Sequence, residues 1–144
     1  MSKFKATPLF DAHKAFVRLP MGMAMLNDYP DSASFISDLA KHNPDVMQDF
    51  LQTQAFLKSY SRKSEATYRS YRNEVERLLL WSWTIAEKSI IQLKRPDLEV
   101  FFDFVHHPHF SWVGDSVQDR FKQISGECRQ NENWRPFVAK ISKS

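Results

Sequence analysis

Thr67-Tyr68-Arg69-Ser70-Tyr71-Arg72-Asn73-Glu74-Val75-Glu76-Arg77-Leu78-Leu79-Leu80-Trp81-Ser82-Trp83 is the stretch on which the reading of this chain turns. Tyr68, Tyr71, Val75, Leu78, Leu79 and Ser82 recur at the three-and-four spacing of one helical face. Leu80, Trp81 and Trp83 widen the apolar surface, which predicts deeper burial of the C-terminal half. Arg69, Arg72, Asn73, Glu76 and Arg77 are left for the exposed side. Ser64 is the expected N-cap and Glu65 begins the helix, which is expected to run to about Glu87. Glu65–Arg69 and Asn73–Arg77 are i,i+4 neighbours, so local pairing alone accounts for such arginines.

On either side of this helix the patterning predicts shorter ones. Residues 1–44 contain Pro8, Pro20 and Pro30 with little periodicity, and read as a largely irregular arm carrying one short helix from Ser32 or Ser34 to about His42. Asn43-Pro44-Asp45 is a strong start signal, with Asn as cap and Pro at the first helical position. Val46, Met47, Phe50, Leu51 and Leu57 continue that helix to about Tyr60. Ile90–Leu93 reads as an extended linker. Pro96 opens a last helix from about Asp97 to His107, with Leu98, Val100, Phe101, Phe104 and Val105 apolar, and Pro108 ends it. From His109 onward the pattern dissolves into an irregular, partly packed loop. With almost no strand signal, the expected class is all-α: a small bundle of four to five helices, with an irregular N-terminal arm and a C-terminal loop segment.

A chain of 144 residues is one domain, or one domain with a tail. Its single cysteine, Cys128, makes an internal disulfide impossible and suits a reducing compartment. No apolar run approaches the roughly 20 residues of a membrane span, and the first residues lack a signal peptide's apolar core, so the expected location is cytoplasmic with no membrane partner. The net charge is +3, but it is unevenly placed. From Lys58 to Arg95 nine basic residues face four acidic ones, whereas the segments before and after each carry a net charge of −1. Clustering of this kind is the footprint of an anionic partner, nucleic acid among them, although solvated helices carry such charge too.

Signs of chemistry are few. His106, His107 and His109, with Cys128 downstream, match no zinc spacing, and a polar helix end explains them as well. Three glycines leave no room for a glycine-rich phosphate loop, and no nucleophile elbow or His-Glu-x-x-His helix is present. Asp97, Glu99 and Asp103 read as a solvated face rather than an acid–base pair. No metal, cofactor, small-molecule ligand or catalytic residue is expected. Trp81, Trp83, Phe101, Phe102, Phe104, Trp112 and Trp134 read as core, the alternative being stacking platforms for single strands.

Several separated stretches resemble the N-terminal core-binding domain of phage-type tyrosine recombinases, the integrases of phages and mobile elements. Ser64, Thr67, Tyr71, Arg72, Val75, Leu78 and Trp81 match the family's opening helix. Ile90–Leu93 and Asp97–Val105 match its linker and second helix. Trp112-Val113-Gly114 and Trp134-Arg135-Pro136-Phe137 match two further motifs of a subset. The resemblance covers about residues 45–144, so that residues 1–44 stand as an arm before it. It implies a SAM-like helical bundle that clamps double-stranded DNA for a separate catalytic domain, alongside other recombinase protomers. The family's tyrosine nucleophile and its arginines, lysine and histidines belong to that second domain, so this chain is expected to bind without catalysing, and to stop before the bundle's last helix.

A helix start is a natural phosphate site. The expected DNA contacts are therefore Arg62, Lys63, Ser64 and Thr67 on phosphate, Arg69 and Arg72 on groove or backbone, and Lys94 and Arg95 on the adjacent strand. The alternative is a stand-alone helical protein-interaction module that uses the same basic and aromatic surface.

Overall fold

The long helix begins where its cap requires. Ser64 is extended (φ −166°, ψ 157°), its Oγ accepts the Thr67 N–H at 3.0 Å, and the helix α4 follows as Glu65–Thr84. In this computed structural model, which describes residues 5–139, α4 is the longest helix and packs chiefly against α3. It ends three residues before the expected Glu87. Ile85 and Ala86 both donate to Trp81 O, Glu87 takes a left-handed turn (φ 57°), and Lys88 N–H closes onto Ser82 O at 2.8 Å.

Helix α3, Asp45–Ser61, joins α4 through the Arg62–Ser64 turn and packs beside it as an αα-hairpin. Its buried positions, Val46, Asp49, Phe50, Thr53, Gln54, Leu57 and Ser61, keep helical spacing, and Asn43 Oδ1 accepts the Asp45 N–H at its start. Helix α2, Pro30–Ala40, lies on α3 with Phe35 and Ile36 buried. It starts two residues before Ser32, because Pro30 supplies a first-turn residue that needs no N–H partner. Helix α5, Arg95–His106, follows a short 3-10 turn, Ile90–Gln92, where an extended linker was expected. The expected apolar stripe on α5 is only partly covered. Phe101 packs on Trp81 at 5.3 Å and Phe104 meets Trp112 edge-on, while Leu98 and Val100 face outward.

Ahead of α2 the N-terminal arm has little regular structure, yet it forms part of the core. Its described residues there hold α1, His13–Phe16, and a 3-10 turn, Met23–Leu26. Leu9, Phe10, Phe16, Met25, Leu26 and Tyr29 are all buried. Phe10 stacks on Phe50 at 5.2 Å, and Phe16 packs against Tyr68 at 4.8 Å. Lys58 Nζ donates to Phe16 O and Leu19 O, which ties the arm to α3.

The segment beyond α5 corrects the expectation of an all-α chain with a C-terminal loop: the fold is mainly helical, with small β elements. Strands β2, Phe121–Ile124, and β3, Glu127–Gln130, form an antiparallel hairpin, and β1, Val113–Gly114, pairs in parallel with β4, Phe137–Val138. Ser125 and Gly126 make the hairpin's two-residue turn with φ values of 52° and 81°, the conformation that matches strand twist. Cys128 N–H donates to Asp28 O and Gln130 N–H to Asp31 Oδ2, so the hairpin is fastened to the arm and to α2. The Trp-Val-Gly and Trp-Arg-Pro-Phe stretches are strand partners, with Val113 opposite Phe137, and Trp112 and Trp134 are buried. A Cβ on Gly114 would stand 3.4 Å from Arg135 Cβ, a tight approach that glycine relieves.

Candidate nucleic-acid interface

Five of the eight expected DNA-contacting residues gather at the start of α4. Arg62, Lys63 and Ser64 are exposed on the α3–α4 turn, Thr67 is half-buried, and Arg69 is exposed one turn further on. Ser64 Oγ donates to Thr67 Oγ1 at 2.8 Å while accepting the Thr67 N–H, so the two hydroxyls lock the first turn. Lys63 Nζ lies 5.0 Å from the centre of the Tyr60 ring, a cation–π contact that steadies the ammonium near the helix start. Glu65 opposes this charge in the first turn, so the attraction for an anion comes from Arg62, Lys63 and Arg69 more than from the helix end itself.

Arg72 is not where the helical pattern put it. It was expected beside Arg69 on the open side, but only 8% of it is exposed. Its NH1 donates to Asp11 O, Nε and NH2 donate to Asn73 Oδ1, and the guanidinium lies over the Tyr68 ring. Burial lowers its pKa, and the Arg120 guanidinium lowers it further. Glu76, also expected on the surface, is 1% exposed. Its Oε2 accepts the Leu9 and Phe10 N–H groups, and its Oε1 is ion-paired with Arg120. Arg77 is half-buried; Nε donates to Pro136 O at 2.9 Å, the guanidinium covers Phe137, and burial lowers its pKa. Tyr68 and Arg72, with Glu76, thus form a polar stripe sealed by the arm and by Arg120. The same desolvation raises the Tyr68 pKa, and Tyr68 Oη donates to Asp11 O at 2.7 Å.

Lys94 and Arg95 form a second group. Both are exposed at the start of α5, and Arg95 Nε stands 3.6 Å from Glu99 Oε1. Asp97 accepts the Lys94 N–H at 2.9 Å and pairs with Lys88 at 3.0 Å. Those two contacts, the backbone one foremost, hold its carboxyl below the usual range. This group lies near the C-terminal end of α4, because Asp49, in the first turns of α3, accepts from Trp83 Nε1, Ser89 Oγ and Ile90 N. The 20 residues of α4 span about 30 Å, so the two basic groups stand at opposite ends of one rod.

An aromatic patch adjoining the first group escaped the sequence reading. Phe56, Tyr60 and Tyr71 pack ring to ring at 4.7–5.7 Å, with Phe56 and Tyr71 exposed. Phe56 and Tyr60 are four apart and lie off the buried stripe of α3, the signal that would have revealed them. Phe102, expected in the core, is 60% exposed, whereas Trp81, Trp83, Phe101, Trp112 and Trp134 are buried as expected.

Among the described residues no helix is long and apolar enough to cross a membrane, and no group of three His, Cys, Asp or Glu side chains is placed to hold a metal ion. Compared with family models, curated proteins and solved structures, the chain matches none.

Proposed function

We propose that this chain binds double-stranded DNA as a SAM-like core-binding module of a phage-type tyrosine recombinase, holding the duplex for a separate catalytic domain and for neighbouring protomers. The observation that carries this reading is the exposed group Arg62, Lys63, Ser64, Thr67 and Arg69 at the start of α4, answered by Lys94 and Arg95 at its far end. The helix between them is about 30 Å long, close to one turn of B-DNA, roughly 34 Å, a length that suits contacts one turn apart on a duplex. Arg72 supports this surface from beneath by holding the arm against α4. It does not reach the duplex.

The reading predicts a salt-dependent affinity. With fluorescence anisotropy on a duplex containing a recombination site, Arg69→Ala weakens binding and lowers the slope of log affinity against log salt by about one. A slope that stays unchanged removes Arg69 from the footprint, and an unchanged slope for Arg62→Ala and Lys63→Ala as well would sink the reading. The Phe56–Tyr60–Tyr71 patch favours a second reading, a helical protein-interaction module. In that case Tyr71→Ala abolishes capture of a partner protein, and no variant of the basic groups changes DNA affinity.

A further inference from the structure

A cleft of about 790 Å³ opens on the side of the molecule where the β2–β3 hairpin, the arm and the segment before β4 meet. Four cations line it, Lys5, Lys122, Arg129 and Arg135, against two carboxylates, Asp31 and Glu132. Apart from Ala6 and Ile124 the rest of the lining is polar. Such a surface suits a charged, hydrated ligand; pockets for neutral organic ligands are mostly apolar. The linear charge pattern gives no hint of it, because both contributing segments are close to neutral. Folding gathers their cations.

The internal pairings leave part of this charge unanswered. Arg129 is matched by Asp31 at 3.3 Å and by Glu127 at 3.8 Å. Asp31 is further engaged by the Gln130 N–H at 2.8 Å. Lys5, Lys122 and Arg135 make no ion pair among the described residues. Arg135 NH1 donates to Glu132 O and Trp134 O at 2.6 and 2.7 Å, which fixes its guanidinium at the rim of the cleft.

The hairpin register adds an independent observation. Lys122 stands directly opposite Arg129 across β2 and β3, so their side chains share one face of a two-stranded sheet. Like charges in that position destabilise a hairpin. An anion bridging the pair turns the repulsion into two charge-assisted contacts.

We propose that this cleft is a phosphate-binding site, distinct from the basic groups at the ends of α4, in which Lys122 and Arg135 hold the anion with Arg129 beside them. The proposal does not depend on the recombinase reading. The phosphate has two chemical sources, a nucleic-acid backbone or a free phosphorylated small molecule.

The test uses the full chain, with pyrophosphate as probe at constant ionic strength, followed by calorimetric titration and thermal melting. Saturable binding with a rise in Tm is expected, because a ligand that binds only the folded state stabilises it. Lys122→Glu lowers the affinity roughly tenfold or more, equivalent to about 1.4 kcal/mol. Arg135→Gln lowers it as well. Lys14→Glu, the same charge change at an exposed site on α1, leaves it unchanged, which separates the cleft from a general effect of net charge. Lys122 is exposed on its strand, so the variant keeps the wild-type circular dichroism spectrum. Duplex DNA then identifies the source. Loss of duplex affinity in Lys122→Glu, with competition by pyrophosphate, assigns a backbone phosphate. Pyrophosphate binding with duplex affinity insensitive to Lys122 assigns a free ligand. Absence of saturable pyrophosphate binding, or binding that Lys122→Glu and Arg135→Gln leave intact, overturns the proposal. If duplex binding meanwhile depends on Arg69, the DNA reading stands without the cleft. If pyrophosphate binds and no duplex does, the reverse holds.

Discussion

Arg69 and Arg72 sit one turn apart on the same helix, and they have opposite lives. Arg69 is open to solvent. Arg72 is sealed beneath Asp11 and shares Asn73 with Arg120. The contrast extends along α4: one side leaves its cations open to solvent, while the other converts Arg72 and Glu76 into internal fastenings for two segments far away in sequence. A charge on a helix therefore states a requirement for a counterpart without stating whether that counterpart is solvent, a ligand or the chain itself.

The contrast breaks most sharply at Glu76. Glu76→Ala leaves the largely covered Arg120 without its carboxylate and the Leu9 and Phe10 N–H groups without an acceptor. A loss of about 3–5 kcal/mol is expected on removing one partner of a buried pair, read from urea denaturation. A change below 1 kcal/mol would mean that this side of α4 is wetter than the structure describes.

Arg72 and Arg69 can be set against each other directly. Arg72→Ala costs on the order of 1–3 kcal/mol, since Asp11 O and Asn73 each lose a donor. Arg69→Ala stays within about 0.5 kcal/mol of wild type in the same denaturation experiment, as surface substitutions do. Equal losses from both would erase the distinction between the two sides. Ser64→Ala is expected to cost about 1 kcal/mol through loss of the cap on Thr67 N–H, and the loss should be seen first as faster amide exchange in the first turn of α4.

The smallest expected effect concerns the far end of the rod. Asp97 is held below its ordinary value of 3.8 by the Lys94 N–H and then by Lys88. The folded chain therefore prefers the carboxylate more than the unfolded chain does. That contribution is complete above the ordinary value and fades as pH falls through the lowered one. Urea midpoints measured from about pH 5 down to about pH 2 should fall less steeply in Asp97→Asn than in wild type. Identical acid limbs would show that the Lys88–Asp97 pair adds nothing.

What could be read from the sequence follows the range of the forces involved. The start of α4 was legible because a cap is a matter of four residues, Ser64 to Thr67. Burial of Trp81 and Trp83 was legible because the helical period places them with Leu79 and Leu80. The burial of Arg72 and Glu76 was not, because their covers, Leu9 to Asp11 and Arg120, stand 44 to 67 residues away. Nor was the hairpin, whose four-residue strands show no alternation and whose turn requires Ser125 at positive φ. The arm failed in a different way. Its prolines foretold irregular backbone, which holds ahead of α2 but not at Pro30, where α2 begins; irregular backbone in any case says nothing about burial, and Phe10 and Phe16 complete the core without any period. Among the residues expected to contact DNA, those around Ser64 stand together because their placement rests on local geometry, whereas the exposure of Arg72 depended on the covering segments.

The fastening of the hairpin to the arm also sets a timetable. Gln130 Nε2 reaches Ala6 O across 124 residues, and Arg120 meets Glu76 across 44. The α3–α4 pair closes over a three-residue turn and can form as soon as it leaves the ribosome. Glu76 must then wait for Arg120, which at roughly 5–20 residues per second is a delay of about 2–9 s. During synthesis the chain passes through an interval in which a finished helical hairpin has its carboxylate held by the Leu9 and Phe10 N–H groups alone, and the β2–β3 hairpin, made later, closes over the arm.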